Sequence, residues 1–366
     1  MHRFGLTLLI ASLVAAPGFA QEPDPRAFED FLTQYRVDQQ IPSLSAVVLQ
    51  DGAPVFEAYL GWSDDEGDWP TTAETSYAIA SVSKTITGTS FFLAEQAGLI
   101  DLDQPFNTAQ DWQSFCGWFP DSPIIFAGAQ LGEVTIEGFT CQGQTLRNAL
   151  NMRVNGRAGS HFLYNPLVFA RLGRFVDEQG PVPIRALVYD QVLDPAGMVD
   201  TAVGWRDESR GHVLSRLAPP FHVSEAGLTK QSFPDDDFRG AAGLYMSPLE
   251  LARFDAALES GVLMDEVALD ALWSPPLNAD GSASVYSYGW YVQTYQNERL
   301  IWHSGVEDER YSAIYLKLPE RGLTLIVMAN TEALGWGNRL DRAEIERSPV
   351  VQAFFEAYGL FQTELP

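Results

Sequence analysis

Hydrophobic and polar positions along the chain change period several times, and each change marks an element. Over residues 25–39, Phe28, Phe31, Leu32 and Tyr35 fall on one stripe, which predicts an amphipathic helix. Residues 43–49 are small and β-branched, Asp51-Gly52 is a hairpin turn signal, and residues 55–62 return as a second strand. An acidic loop over 64–72 follows. A short apolar run then leads into Ser81, and residues 86–97 form a long, mostly apolar segment with Gly98 placed to stop a helix. Further helices are predicted at 145–152, from Asn165 (N-cap) and Pro166 (first turn), at 184–193, and at 247–259 behind the capping box Ser247-Pro248-Leu249-Glu250. Strands are predicted at 289–294, 300–303, 311–316 and 324–328, and a terminal helix at 349–358.

Residues 106–145 are the least regular stretch. They carry Trp112, Phe115, Trp118, Phe119 and Phe126, which are expected to pack the underside of a long loop rather than line a pocket. Strands and a helix at both ends, with a mostly helical middle, predict an α+β fold. One antiparallel sheet is built from both chain ends, about 21–80 and 281–366, and flanked by helices. A mostly helical sub-domain, about 81–280, is inserted into it, with a cleft between the two.

Composition adds limits. The 366 residues are 46% hydrophobic, ample for one large catalytic domain, and carry a net charge of −25. That charge disfavours nucleic acid and anionic membrane surfaces as partners. Residues 1–20 have a basic start, an apolar run too short to span a bilayer comfortably, and small residues at Gly18 and Ala20, the pattern of a signal peptide, an uncleaved membrane anchor being the alternative. Removal of the signal peptide takes away Arg3 and no acid, leaving −26 on residues 21–366. The mature protein is therefore expected to be periplasmic or secreted and free of the membrane. In that setting Cys116 and Cys141 are expected to form a disulfide, two separate buried thiols being the alternative. The five histidines show no metal-ligand spacing, so neither metal nor cofactor is expected.

The candidate chemistry begins at Ser81-Val82-Ser83-Lys84. Ser81 stands where a helix starts, and Lys84 is one turn on, on the same face. An amine whose pKa is lowered by burial can take the proton of a serine hydroxyl and so create a nucleophile. The same spacing also suits an N-capping serine followed by a surface lysine. No G-x-S-x-G elbow or Ser-His-Asp order offers another base.

Two more stretches join it: Gly159-Ser160-His161-Phe162-Leu163-Tyr164-Asn165-Pro166, and Trp302-His303-Ser304-Gly305 on a strand. In this order and spacing the three resemble the serine β-lactamase and penicillin-binding superfamily. The resemblance is to its class C branch, with its carboxylesterases, D-amino-acid peptidases and amidases, and covers about residues 27–358. It implies a β-lactamase/transpeptidase-like fold and an acyl-enzyme on Ser81, with Lys84 as proton acceptor. Tyr164 would exchange protons as a phenol or phenolate. The backbone N–H groups of Ser81 and Val306 would hold the oxyanion, and His303, Ser304, Gly305 and Asn165 would flank the substrate. The implied partner is a small-molecule or short-peptide ester or amide.

Two positions depart from the family pattern. The asparagine expected two residues after Tyr164 is Pro166, and Asn165 sits one residue early, where an N-cap is its simplest task. The third motif has His303 where β-lactamases usually carry lysine; His303 is expected to hydrogen-bond and tune Tyr164. An esterase or peptidase-like activity is therefore the expectation. A true β-lactamase, a penicillin-binding D-Ala peptidase, or an inactive binding protein on the same fold are the alternatives.

Overall fold

A computed structural model of the chain describes residues 22–64, 66–122, 129–131, 134–235 and 237–361, with backbone alone at 129–131 and 134–136. The expected signal peptide at 1–20 and Phe126 lie outside the described residues. Helix α1 (Pro25–Asp38) is followed by the hairpin β1 (Ser43–Gln50) and β2 (Ala53–Gly61), then α2 (Ser83–Gln96), α3 (Pro166–Gln179) and α4 (Pro248–Glu259). Strands β3 (Tyr286–Ser287), β4 (Trp290–Tyr295), β5 (Glu298–Glu307), β6 (Tyr311–Leu318) and β7 (Leu323–Ala329), and helix α5 (Pro349–Ala357), complete the main elements.

The seven strands form one sheet in the order β3-β4-β5-β6-β7-β1-β2, antiparallel throughout, so β1 from the beginning of the chain pairs with β7 from its end. Residues of β6 and β7 are buried on both faces, which is why they read as continuous apolar runs rather than alternating ones. Phe28 of α1 packs against Phe56, Phe354 and Tyr358, joining the first and last helices over one part of the sheet. Helix α4 packs over β1 and β7. Its contact with the sheet includes a buried polar cluster: Lys317 Nζ lies 2.5 Å from Asp255 and 2.7 Å from Glu259, and Tyr315 donates to Asp255 at 2.8 Å.

Several short elements lay below the resolution of sequence pattern. Tyr77–Ala78, Leu244–Met246 and Ala202–Val203 form a small three-stranded sheet, and Phe221–Ser224 pairs with Gly227–Lys230. The helix expected at 184–193 is α-helical to Val188 and then widens into a π turn over Tyr189–Leu193. The capping box at Ser247 closes only on one side: Ser247 accepts from the Glu250 N–H, while the Glu250 carboxylate turns to the Asp200 N–H and to Arg253.

In the 106–145 stretch, Phe106, Trp112, Phe115, Phe119 and Phe139 are buried against one another: Phe106 stacks on Trp112 at 4.5 Å and Phe115 on Phe119, with Phe139 meeting them edge-on. These aromatics pack the underside of the loop, as expected; Trp118 alone of the described set is 51% exposed. Cys116 and Cys141 are bridged, with their Cα atoms 5.9 Å apart.

Candidate active site

Ser81 lies in a single tight turn, Ala80–Val82, that runs directly into α2. Ala80 holds φ +46°, a left-handed conformation that a residue with a Cβ adopts at a cost of about 1–2 kcal/mol. That strain sits next to the candidate nucleophile. One turn later the Lys84 side chain is fully buried, its Nζ 2.8 Å from Ser81 Oγ and 2.6 Å from the Ala241 carbonyl oxygen. The rings of Tyr164 and Phe169 lie 5.3 and 5.7 Å away. Burial without a carboxylate partner holds this amine well below the usual lysine range. A neutral amine keeps one lone pair. With an N–H given to Ala241, that pair can accept the Ser81 proton.

Tyr164 stands just ahead of α3, its N–H donating to the Leu340 carbonyl at 2.7 Å. Burial pushes the pKa of its hydroxyl up, and the nearby Ser81 side chain pulls it down by less. The environment therefore favours a neutral phenol over the phenolate. Asn165 is fully buried at the N-cap: its Oδ1 accepts from the Val168 N–H at 3.1 Å and its Nδ2 donates to Asn155 at 3.2 Å. Both ends of the amide are engaged, so Asn165 positions the helix behind Tyr164 rather than offering groups to a substrate.

His303 is also buried, and here the structure corrects the expected bond to Tyr164. Its Nδ1 lies 2.5 Å from the Ser304 carbonyl, which can only accept, so Nδ1 carries the hydrogen. Nε2 is then an acceptor and takes the hydroxyl of Tyr286 at 3.0 Å. Burial, with Lys84 nearby, keeps the ring well below the usual histidine range and therefore neutral. Tyr164 touches this group through ring faces: it stacks on Tyr291 and meets His303 with ring centres 5.7 Å apart.

The sheet supplies the remaining wall. Strand β5 pairs with β4 only as far as Trp302, yet stays paired with β6 to Glu307. Residues 303–307 thus keep one edge without a strand partner among the described residues, a place where an extended substrate can hydrogen-bond. That stretch abuts the nucleophile: a Cβ added at Gly305 would stand 2.4 Å from the Ile79 carbonyl oxygen and 2.8 Å from the Ser81 nitrogen. Only glycine permits this approach. It brings the backbone next to Val306, a residue that is 41% exposed, toward Ser81.

Ser81, Lys84, Tyr164, His303, Gly305 and Val306 are therefore gathered at one place, and Asn165 is turned away from it. Sequence reasoning missed the Ala241 carbonyl, which no side-chain pattern can reveal, and the tyrosines 286 and 291 behind Tyr164. Among the described residues no group of three His, Cys, Asp or Glu side chains could hold a metal, and no helix is long and apolar enough to cross a membrane.

Residues 28–347 match the protein family described as Beta-lactamase. A Bacillus subtilis (strain 168) protein named for penicillin binding, PbpX, is 21% identical over 268 residues, 68% of this chain and 61% of its own length. The chain thus spans less than two thirds of that relative. The D-amino acid amidase of Ochrobactrum anthropi SV3, complexed with L-phenylalanine, superposes with a TM-score of 0.64 at 17% identity, covering 91% of this chain and 97% of the amidase. EstCE1, described as a hydrolase with promiscuous acyltransferase activity, gives 0.64 at 13% identity over 92% and 99%. At these identities the likeness to solved structures is one of fold.

Proposed function

The chain belongs to the beta-lactamase family, and on that footing we propose that it is a serine hydrolase cleaving an ester or amide through an acyl-enzyme on Ser81. The observation that carries this reading is the buried Lys84 amine, 2.8 Å from Ser81 Oγ and without a carboxylate partner among the described residues. Ser81 Oγ attacks the substrate carbonyl as its proton passes to Lys84 Nζ. The Ser81 and Val306 N–H groups hold the oxyanion. Tyr164, a neutral phenol beside Ser81, gives its proton to the leaving group and is reprotonated from Lys84. Water then takes the acyl group off Ser81 by the reverse proton path. The decisive experiment is labelling with a fluorophosphonate probe followed by peptide mass analysis. Modification at Ser81 is expected; an unmodified Ser81 in folded protein would favour a binding protein on the same fold.

Within this class we propose an esterase or peptidase-like preference. β-Lactam antibiotics carry a carboxylate beside the reactive ring, and both nitrogens of His303 are already engaged by Ser304 and Tyr286, leaving no cation there to hold it. Loss of one charge-assisted hydrogen bond is worth about 10- to 150-fold in affinity. The kcat/KM for p-nitrophenyl acetate should exceed that for nitrocefin. Nitrocefin turnover at or above the ester's would restore the β-lactamase reading.

Export is proposed from residues 1–20 and is supported by the Cys116–Cys141 bridge. Protein recovered from an exported fraction should begin at Gln21 and gain no alkyl groups before reduction, read by intact mass. Cys116→Ser should lower stability by about 3 kcal/mol in urea unfolding, the value for closing a loop of this length. A retained leader, or equal stability with and without the bridge, would count against each part in turn.

A further inference from the structure

Three polar side chains on the first turns of α2 all bond to one distant stretch of backbone, residues 240–244. Ser83 Oγ accepts from the Leu244 N–H at 3.2 Å, Lys84 Nζ donates to the Ala241 carbonyl at 2.6 Å, and Thr87 Oγ1 donates to the Gly240 carbonyl at 2.8 Å. All three residues are fully buried. Ser83 and Thr87 are four residues apart and so share one face of the helix, with Lys84 beside them.

The stretch is a strap fixed at its two ends. At one end Gly240 holds φ +87°, a conformation glycine adopts freely, and a Cβ added there would stand 3.1 Å from Thr87 Cγ2. At the other end the Leu244 carbonyl accepts from the Ile79 N–H at 3.1 Å, and the Gly243 carbonyl accepts from the Gly204 N–H at 2.8 Å. Ala241 and Ala242 lie between. Among the described residues, the hydrogen bond from Lys84 to the Ala241 carbonyl is the only one to either of them. The place of that carbonyl is therefore set by the ends of the strap. It matters because the carbonyl takes one N–H of Lys84. With the Cε–Nζ bond and that N–H fixed, the lone pair of the tetrahedral nitrogen can be aimed at Ser81 Oγ, 2.8 Å away.

We propose that Thr87 is a positioning residue for the reaction: by holding the Gly240 carbonyl it sets the Ala241 carbonyl against Lys84 and so aims the amine at Ser81, while Ser83 holds the far end of the strap. The proposal deepens the acyl-enzyme reading and rests on it. Thr87 acts only through the strap. The titratable groups that face Lys84 are Tyr164, ahead of α3, and His303, on β5, and burial keeps both neutral. The Ala241 carbonyl turns its negative end to the amine and so favours the ammonium form. Withdrawing that carbonyl should lower the pKa of Lys84 further.

The test sets Thr87→Val, nearly the same shape without the hydroxyl, beside Thr87→Ser, which keeps it. With p-nitrophenyl acetate, Thr87→Val should lower kcat by about tenfold or more with little change in KM, the scale of a misdirected reacting group. The acid limb of its kcat–pH profile should move to lower pH, and Thr87→Ser should restore both. A purely structural role would lower the melting temperature and leave that midpoint in place. A folded Thr87→Val protein with wild-type kcat, or with an unmoved midpoint, overturns the inference and leaves the hydrolase reading standing. Should Thr87→Val fail to fold, Ser83→Ala frees the other end of the strap and is read in the same way. The carbonyl carbon resonance of Ala241, followed by NMR in isotope-labelled protein, decides the matter apart from turnover. Loss of its donor should move it upfield in Thr87→Val (or in Ser83→Ala), as in Lys84→Met. That movement supports the inference even if Ser81 proves unreactive; an unmoved resonance overturns it.

Discussion

Lys84→Met should lower kcat for p-nitrophenyl acetate by about 10²-fold or more, and Ser81→Ala should reduce turnover to background; both proteins should remain folded. The Lys84 amine is the sole base hydrogen-bonded to Ser81 Oγ among the described residues, and methionine fills its channel without a lone pair of comparable basicity. The pH dependence carries a sign. Burial holds the folded-state pKa of Lys84 below its unfolded value, so activity should rise with pH as the amine loses its proton, and its midpoint should lie below the usual lysine range. The same depression means that the unfolded chain binds more protons than the native one between the two pKa values. Stability from this group therefore rises with pH and is at its least below the folded pKa. Replacement by methionine removes that penalty, so the melting temperature should be unchanged or higher. A Lys84→Met protein with wild-type kcat would refute the role of the amine. A large fall in melting temperature would show that the lysine is held as a structural cation.

Asp255→Ala should destabilise the fold by about 3 kcal/mol or more, the largest loss expected outside the active site. Asp255 and Lys317 are each 1% exposed at the side chain, and Asp255 also accepts from Tyr315 and Thr324, so its loss takes a partner from an ammonium, a phenol and a hydroxyl at once between α4 and the sheet. Glu259 still holds Lys317 at 2.7 Å, which is why the loss stays below that of a wholly unpaired charge. Burial alone would lower the Lys317 pKa, but Asp255 and Glu259 outweigh it and the net direction is up. That contribution is complete below the unfolded lysine value and is lost as pH rises through the higher folded one. Urea unfolding of Asp255→Ala and of Asp255→Leu with Lys317→Met checks the cause. The double replacement should recover much of the loss, because it removes the charge as well as its partner. Equal loss in both would point to packing instead.

Much of the fold was legible from pattern. The stripe of Phe28, Phe31, Leu32 and Tyr35, the Asp51-Gly52 turn, and the Asn165-Pro166 start each encode an element within a few neighbouring residues, and each appears where expected. Strand β5 runs past His303, beyond what pattern predicts, because Ser304, Gly305 and Glu307 break the apolar run; Gly305 is there for its close approach to Ser81 rather than for the core. The two-residue strands, the π turn at Tyr189 and the half-closed box at Ser247 were not legible, since each depends on a partner distant in sequence.

The division at the active site follows the same line. Ser81 and Lys84 are one helical turn apart, so their spacing alone puts them on one face, and the order of the three motifs was enough to indicate the family. The sequence could not say whether Lys84 is buried, since that is set by Ala241, Tyr164 and Phe169, which lie far along the chain. Nor could it say which way the His303 nitrogens turn, a choice made by the Ser304 carbonyl and the Tyr286 hydroxyl. Local geometry is written in residue spacing because backbone hydrogen bonds act over three or four residues. Protonation states depend on desolvation and on long-range contacts, and those exist only once the sheet and the helices have closed around the side chain.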